Sequence, residues 1–341
     1  MPSQHVMEAT LIPGDGIGPE VTEAVLYVLD ALGVSFAWDR QDAGMTAFEK
    51  GGNPLPEAVL SSIRRTGLAL KGPLTTPIGG GFRSANVQLR EAFDLYANLR
   101  PARTLVPGRY DDIDIVLVRE NLEGLYLGQE SYLRVGDDQR AVAIVTAVNT
   151  HAGSRRIAEF AFDYAARMGR KKVTIVHKAN VLKVLTGIFL DAAREVAKDH
   201  AGRIEVEDMI VDACAMNLVL NPWRFDVIVT TNLFGDILSD EIAGLVGGLG
   251  MAPGANIGKD AAVFEAVHGS APDIAGKGVA NPLAMLMAAG LMLRHIGRRD
   301  EAERLDKGIR AALDSGAKTR DLGGSLGTME LARAIADHLP D

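Results

Sequence analysis

Residues 9–21, ATLIPGDGIGPEV, hold a strand, a turn and a helix start in one short stretch. Ala9–Pro13 reads as a short strand. Gly14-Asp15-Gly16-Ile17-Gly18 turns the backbone, and Pro19 opens a helix, where its missing N–H leaves nothing unsatisfied. The same alternation continues along the chain. Short β-branched strands are expected at Leu68–Leu70, Ile113–Arg119, Val142–Val148, Val173–His177 and Val227–Thr230. Helical patterns cover about 19–32, 152–168, 181–198, 236–247, 282–297 and 299–314. Strands and helices in this order predict α/β layers.

The chain has 341 residues, too many for one ordinary core, so two domains or one large α/β unit are expected. Its 47% apolar and 23% charged residues exclude a disordered chain. Thirty-six Lys and Arg against 44 Asp and Glu give a net charge of −8, so no overall basic field exists for nucleic acid or an anionic membrane. Cys214 is the single cysteine, and no intramolecular disulfide can form. The N-terminal residues lack the basic and apolar regions of a signal peptide. The apolar run LAMLMAAGLML, 283–293, is too short to span a bilayer and reads as a buried or interface helix. A cytoplasmic protein is expected.

Several constellations can carry chemistry. GDGIG follows a strand, but it is not the G-x-G-x-x-G fingerprint, so a structural turn and a cofactor contact both stay open. Gly79-Gly80-Gly81 reads as a loop able to open and close. Arg90, Arg100 and Arg119 stand near Ser84 and Asn86, and guanidinium forks match carboxylates. Arg119 ends the apolar strand IDIVLVR, where an unpaired charge would be costly. In NLFGDILSDE, 232–241, Asp236 and Asp240 share one face at a helix start. Either a divalent cation or the positive helix end offsets their repulsion, and oxygen ligands favour Mg²⁺ or Mn²⁺. Lys178 and Tyr126 are candidate proton carriers or ordinary surface residues. VFEAVHGSAPDIAGKGVANP, 263–282, is a structured loop before a helix. In it His268 can stack on adenine, and Asp273 can accept hydrogen bonds from a ribose while repelling a 2′-phosphate.

Taken in order, LIPGDGIGPEV, KGPLTTPIGGGFRSANVQLREAFDLYANLRP, RENLEGLY, VHKANVLK, NLFGDILSDEIAGLVGGLGMAPGANIG and AVFEAVHGSAPDIAGKGVANP resemble the β-decarboxylating dehydrogenase family, that of isocitrate and isopropylmalate dehydrogenases. The resemblance implies a two-domain α/β fold distinct from the Rossmann fold. It implies a large domain of about 1–95 plus 248–341, a small domain of about 96–247 and a site in the cleft between them. An arm near 124–150 would help form an obligate homodimer with shared sites.

By resemblance, Arg90, Arg100 and Arg119 are substrate arginines, and Ser84 and Asn86 meet the γ-carboxylate of isocitrate. Tyr126 is the catalytic tyrosine. Lys178 is the catalytic lysine and Asp212 a metal aspartate, both from the partner subunit and either one the base. Asp236 and Asp240 are the metal aspartates of the subunit that supplies the arginines. Thr76 and Asn180 lie near the nicotinamide. His268, Gly269, Ala271, Asp273, Ile274 and Asn281 form the adenosine loop. NADP-using relatives carry Lys and Tyr where this chain has Asp273 and Ile274. An anion 4 Å from a phosphate is repelled by about 4 kcal/mol at an effective dielectric of 20, so NAD is expected. The implied activity is NAD-dependent oxidation and decarboxylation of isocitrate to 2-oxoglutarate, a step of the tricarboxylic acid cycle. Homoisocitrate or tartrate as substrate, or a non-catalytic regulatory subunit, are the alternatives.

Overall fold

The computed structural model describes residues 6–76 and 83–340. Gly79–Gly81 lies outside the described residues. The strands are β1 (Met7–Ile12), β2 (Phe36–Arg40), β3 (Leu68–Lys71), β4 (Ala97–Arg103), β5 (Asp114–Glu120), β6 (Gly124–Val135), β7 (Asp138–Val148), β8 (Lys172–His177), β9 (Glu205–Ile210), β10 (Val227–Thr230), β11 (Pro253–Ile257) and β12 (Ala262–Ala266). The helices are α1 (Gly18–Ala31), α2 (Met45–Gly51), α3 (Glu57–Thr66), α4 (Ala85–Ala92), α5 (His151–Arg167), α6 (Gly187–Asp199), α7 (Val211–Leu220), α8 (Asn232–Leu245), α9 (Leu283–His295), α10 (Arg299–Asp314) and α11 (Thr328–Asp337).

The chain forms two compact units, one of 1–95, 102–111 and 243–341, the other of 96–101 and 112–242. Residues 102–111 and 243–247, assigned from sequence to the middle segment, thus group with the chain ends. Val106 is buried in that unit, and a Cβ on Gly247 would lie 3.9 Å from its Cγ2.

In the unit built from the chain ends, the strand order is β2-β1-β3-β12-β11. β2, β1, β3 and β12 run parallel, and β11 is antiparallel to β12. Parallel strands buried on both faces need apolar side chains throughout, and all four residues of β3 are buried. Helix α9 carries the apolar run 283–293 and packs on β11 and β12. Nine of its residues are buried, because it is covered on nearly every side. Among the described residues no helix is long and apolar enough to cross a membrane.

The turn after β1 ties this unit together. The Asp15 carboxylate accepts from the backbone N–H groups of Met45, Thr46 and Thr75 at 2.8–2.9 Å and from the Thr46 hydroxyl. Gly16 has φ +58°, and a Cβ there would lie 2.0 Å from the Ser270 carbonyl oxygen. Glycine is therefore required for close approach.

The other unit orders its strands β5-β10-β8-β9, all parallel. β6 and β7 form a separate antiparallel hairpin where the arm was expected. Two helix boundaries differ from the sequence pattern. Residues 181–186 are turns rather than helix: the Thr186 hydroxyl accepts from Lys178 N and donates to the Leu182 carbonyl, an alternative to a regular helical ladder. Helix α8 starts at Asn232, four residues earlier than expected, and its first turn contains no acidic residue. Asp236 and Asp240 consequently stand inside the helix, where its positive end does not account for them.

Replacing Asp15 with Ala strips an acceptor from three buried or half-buried backbone donors. Stability is expected to fall by at least about 2 kcal/mol. Urea unfolding followed by circular dichroism measures it, and an unchanged midpoint would contradict the role given to this turn.

Candidate active site

Arg119 is the last but one residue of β5 and is only 1% exposed. A charge at that depth needs partners. Nε and Nη2 donate to Asn232 Oδ1 at 3.0 and 2.7 Å, and Nη1 pairs with Asp236. The guanidinium also lies over the Tyr126 ring, 5.1 Å from its centroid. A Cβ on Gly235 would come within 2.5 Å of Arg119 Cγ, so glycine at 235 is what lets α8 pass this side chain.

Asp236 accepts from Tyr126 as well as from Arg119. Burial raises the Tyr126 hydroxyl above its ordinary pKa, and the hydrogen bond to Asp236 adds to the effect. The tyrosine is therefore a protonated donor at neutral pH. Arg100 Nη1 reaches Asp236 and Asp240 at 3.6 and 3.7 Å and donates to Ser239 Oγ at 2.5 Å. The carboxyl of Asp240 is raised by burial, and the charge of Asp236 raises it further against the pull of Arg100. Two carboxylates one helical turn apart thus stand beside three groups that hold or donate protons.

Lys178 follows β8 and pairs with Asp212, the second residue of α7. The hydrogen bond from Lys178 lowers the Asp212 carboxyl below its usual range. Beneath them, buried His177 accepts from Ala179 N through Nδ1 at 3.1 Å and so pins the turn that carries the lysine. Asn180 is exposed on that turn.

In the first unit, Arg90 on α4 lies 3.8 Å from Glu265, which also pairs with Lys71 at 2.7 Å and accepts from Asn256 at 2.6 Å. Burial opposes ionisation of Glu265, but Lys71 and Arg90 outweigh it and hold the carboxyl down at about 2. Asn86 and Arg90 line a small cavity with this pair, and Asn86 Oδ1 is buried without a partner. Thr76 and Ser84 meet through their hydroxyls at 3.3 Å.

A larger cavity of about 590 Å³ lies in the same unit. His268, Gly269, Ala271, Ile274 and Asn281 all line it. Asp273 is exposed on the same turn and is not among the lining residues. The His268 imidazole is kept neutral by burial, with Nδ1 against the Gly269 carbonyl and Nε2 buried without a partner. Asn281 spends its amide within the protein: Oδ1 accepts from Leu283 N, and Nδ2 donates to Asp321 at 2.8 Å.

Reading the sequence did not single out Gly250, Arg320 and Asp321 of this cavity, while Ile17 lies in the turn left open as a cofactor contact. Only the TRDLGG turn at 319–324 marks Arg320 and Asp321. Lys71 and Glu265 were also missed, although the argument that selected Arg119, a charge within an apolar strand, applies equally to LALK and VFEA.

The donor set suits a hard divalent cation, since Asp236 and Asp240 offer carboxylate oxygens and Asp240 sits in a field that a cation would relieve. Among the described residues no group of three or more His, Cys, Asp or Glu can hold a metal within one chain. Asp212 is not grouped with the other two among the described residues.

The isocitrate/isopropylmalate dehydrogenase family model matches residues 8–335. An isocitrate dehydrogenase of known structure from Methylococcus capsulatus superposes with a TM-score of 0.94 at 54% identity, over 98% of this chain and 100% of that one. The 3-isopropylmalate dehydrogenase of Methanothermobacter thermautotrophicus is 49% identical over 98% of this chain and 99% of its own. The mitochondrial NAD isocitrate dehydrogenase catalytic subunit 5 of Arabidopsis thaliana is 47% identical over 97% of this chain and 88% of its own. The chain belongs to the isocitrate/isopropylmalate dehydrogenase family and is an oxidoreductase with that two-domain α/β fold.

Replacing Lys71 with Met leaves Glu265 buried with a weakened partner set, at an expected cost of about 3–5 kcal/mol at pH 7. Glu265 is depressed in the folded state, so its contribution is present above its ordinary value of 4.5 and fades as pH falls toward about 2. Urea midpoints of the variant and the parent should therefore converge as the pH falls below about 4.5. Equal midpoints at pH 7 would contradict the pairing.

Proposed function

We propose that this dehydrogenase oxidises and decarboxylates isocitrate to 2-oxoglutarate and CO₂, using NAD and Mg²⁺ or Mn²⁺, as a cytoplasmic homodimer. The observation that carries the substrate reading is the polar start of α4. Ser84 and Asn86 stand ahead of Arg90, and Asn86 carries a buried, unpartnered side-chain oxygen. An isopropyl group against that amide would leave it unpaired, a cost of about 1–3 kcal/mol. A carboxylate accepts from the same amide once its terminal bond rotates to present the NH₂. The 54% identical isocitrate dehydrogenase supports the same reading. Homoisocitrate is longer by one methylene, which pockets discriminate by only about 1–3 kcal/mol, and it is the competing substrate.

Asp236 and Asp240, with Asp212 of a second copy, would hold the cation. The cation supplies Lewis acidity at the substrate C2 oxygen, and the dinucleotide supplies the hydride acceptor. The chain's own groups do the rest. Arg90, Arg100 and Arg119 clamp carboxylates and fix the substrate's orientation. The Lys178–Asp212 pair of the second copy, either member the base, takes the proton from the C2 hydroxyl. Tyr126, held protonated, delivers a proton to C3 after CO₂ departs. The presence of Tyr126, Lys178, Asp212, Asp236 and Asp240 argues for a catalytic chain rather than a regulatory one. Cofactor choice rests on Asp273 and Ile274, which offer no cation to a 2′-phosphate.

The dimer reading rests on the β6–β7 hairpin. Leu133 pairs with Val142 and Ser131 with Ile144 in its register, and Tyr132, Leu133, Val142, Ile144 and Val145 are all exposed. A lone two-stranded hairpin is marginal in water, and this apolar surface fits the equivalent arm of a second copy.

Purified protein is expected to form NADH from isocitrate only with Mn²⁺ or Mg²⁺, and to favour NAD over NADP. Its kcat/KM for 3-isopropylmalate should be lower by at least about tenfold, the equivalent of 1.4 kcal/mol. Assays of isocitrate, homoisocitrate and 3-isopropylmalate side by side decide the matter. Preference for 3-isopropylmalate would overturn the substrate reading.

A further inference from the structure

The 590 Å³ cavity is walled on one side by Val279, Ala280 and Asn281, and this segment has no regular secondary structure to hold it. Its backbone is gripped from two directions. The Glu20 carboxylate, in the first turn of α1, accepts from Gly278 N at 3.1 Å and from Ala280 N at 3.2 Å. Thr328, at the start of α11, donates its backbone N–H to the Gly278 carbonyl at 2.8 Å and its hydroxyl to the Ala280 carbonyl at 2.7 Å. That hydroxyl has one proton, and the 2.7 Å contact takes it in preference to Glu20 at 3.4 Å. The N–H and carbonyl groups of Gly278 and Ala280 are thus held by Glu20 and Thr328, at least 48 residues away in sequence. The fit is close: Gly278 has φ +64°, and a Cβ on Gly327 would lie 2.6 Å from the Gly278 carbonyl oxygen. Ile17, which also lines the cavity, donates its N–H to the Ser270 carbonyl at 2.9 Å.

We propose that Glu20 and Thr328 are positioning residues for dinucleotide binding, holding Gly278–Ala280 in the shape that receives the cofactor's adenosine part. The inference rests on the reading of this cavity as the NAD site. Neither residue reaches the groups assigned to proton transfer or to substrate carboxylates, so their loss acts on cofactor affinity and leaves turnover of the bound complex alone.

The test measures NAD and ADP-ribose binding by calorimetry, and KM and kcat for both substrates, in Glu20→Ala, Glu20→Gln and Thr328→Val. Gln keeps one acceptor and Val keeps the shape of Thr, which guards against simple misfolding. Glu20→Ala is expected to weaken NAD and ADP-ribose about tenfold, the scale of one lost hydrogen bond to a charged group. Glu20→Gln and Thr328→Val should weaken both about threefold. In all three, kcat should stay within about twofold, and the KM for isocitrate should not move. Unchanged cofactor affinity, or a parallel rise in both KM values that tracks a falling Tm, would overturn the inference. Gly269→Trp, which fills the cavity, separates the two levels. If it binds NAD as the parent does, the cavity reading fails. If it abolishes binding while the other three variants bind normally, the positioning role alone fails.

Discussion

The contact on which the arrangement depends is that of one carboxylate, Asp236, with a buried guanidinium. Arg119 lies at the end of a parallel strand where an unpaired charge is untenable. It is retained because Asn232 and Asp236 arrive from the start of α8 and take its N–H groups. That approach needs glycine at 235, since any Cβ there would strike the arginine's own chain. Once α8 is seated, Asp240 follows one turn later on the same face, and Arg100 is drawn between the two acids. Tyr126 completes the set by donating to the same carboxylate. A single charge-pairing requirement thus brings two arginines, two carboxylates and a phenol together within one unit.

The unit built from the chain ends meets a different demand, that of shaping an irregular loop around a cavity. Loops keep a shape only when their backbone groups find partners. Here the helix following the first strand supplies them, through Ile17 and Glu20. The glycine turn GDGIG, for which a structural role and a cofactor contact were both open, brings Asp15, Gly16 and Ile17 into contact with three separate segments. Ile17 also lines the cavity.

Local signals were legible in the sequence wherever a neighbour in the chain enforces them. The strand Val227–Thr230 and the helix 299–314 have the bounds expected from β-branched content and helical periodicity. The paired acids of α8 were visible from their spacing, and Arg119 from its place in an apolar strand. Long-range effects were not legible. The pairing of Lys71 with Glu265 joins residues far apart in sequence, and the antiparallel seating of β11 on β12 depends on the sheet as a whole. The start of α8 was missed because FDVIVTTN, ending at Asn232, reads as strand, and only the fold shows that the Asn232 side chain is spent on Arg119. The turns at 181–186 were read as helix because their apolar spacing is helical, while the Thr186 hydroxyl competes for the backbone.

The central claim, that Asp236 and Asp240 form an oxygen site for a divalent cation beside Arg119, is tested most directly by counting bound Mn²⁺. Titration of the intact protein with Mn²⁺, read as the loss of the free-ion electron paramagnetic resonance signal, should show about one site per chain in the presence of isocitrate. The same titration of Asp236→Asn and Asp240→Asn should show that site lost or weakened by at least about tenfold, with the circular dichroism spectrum unchanged. Identical stoichiometry and affinity in the parent and both variants would contradict the account.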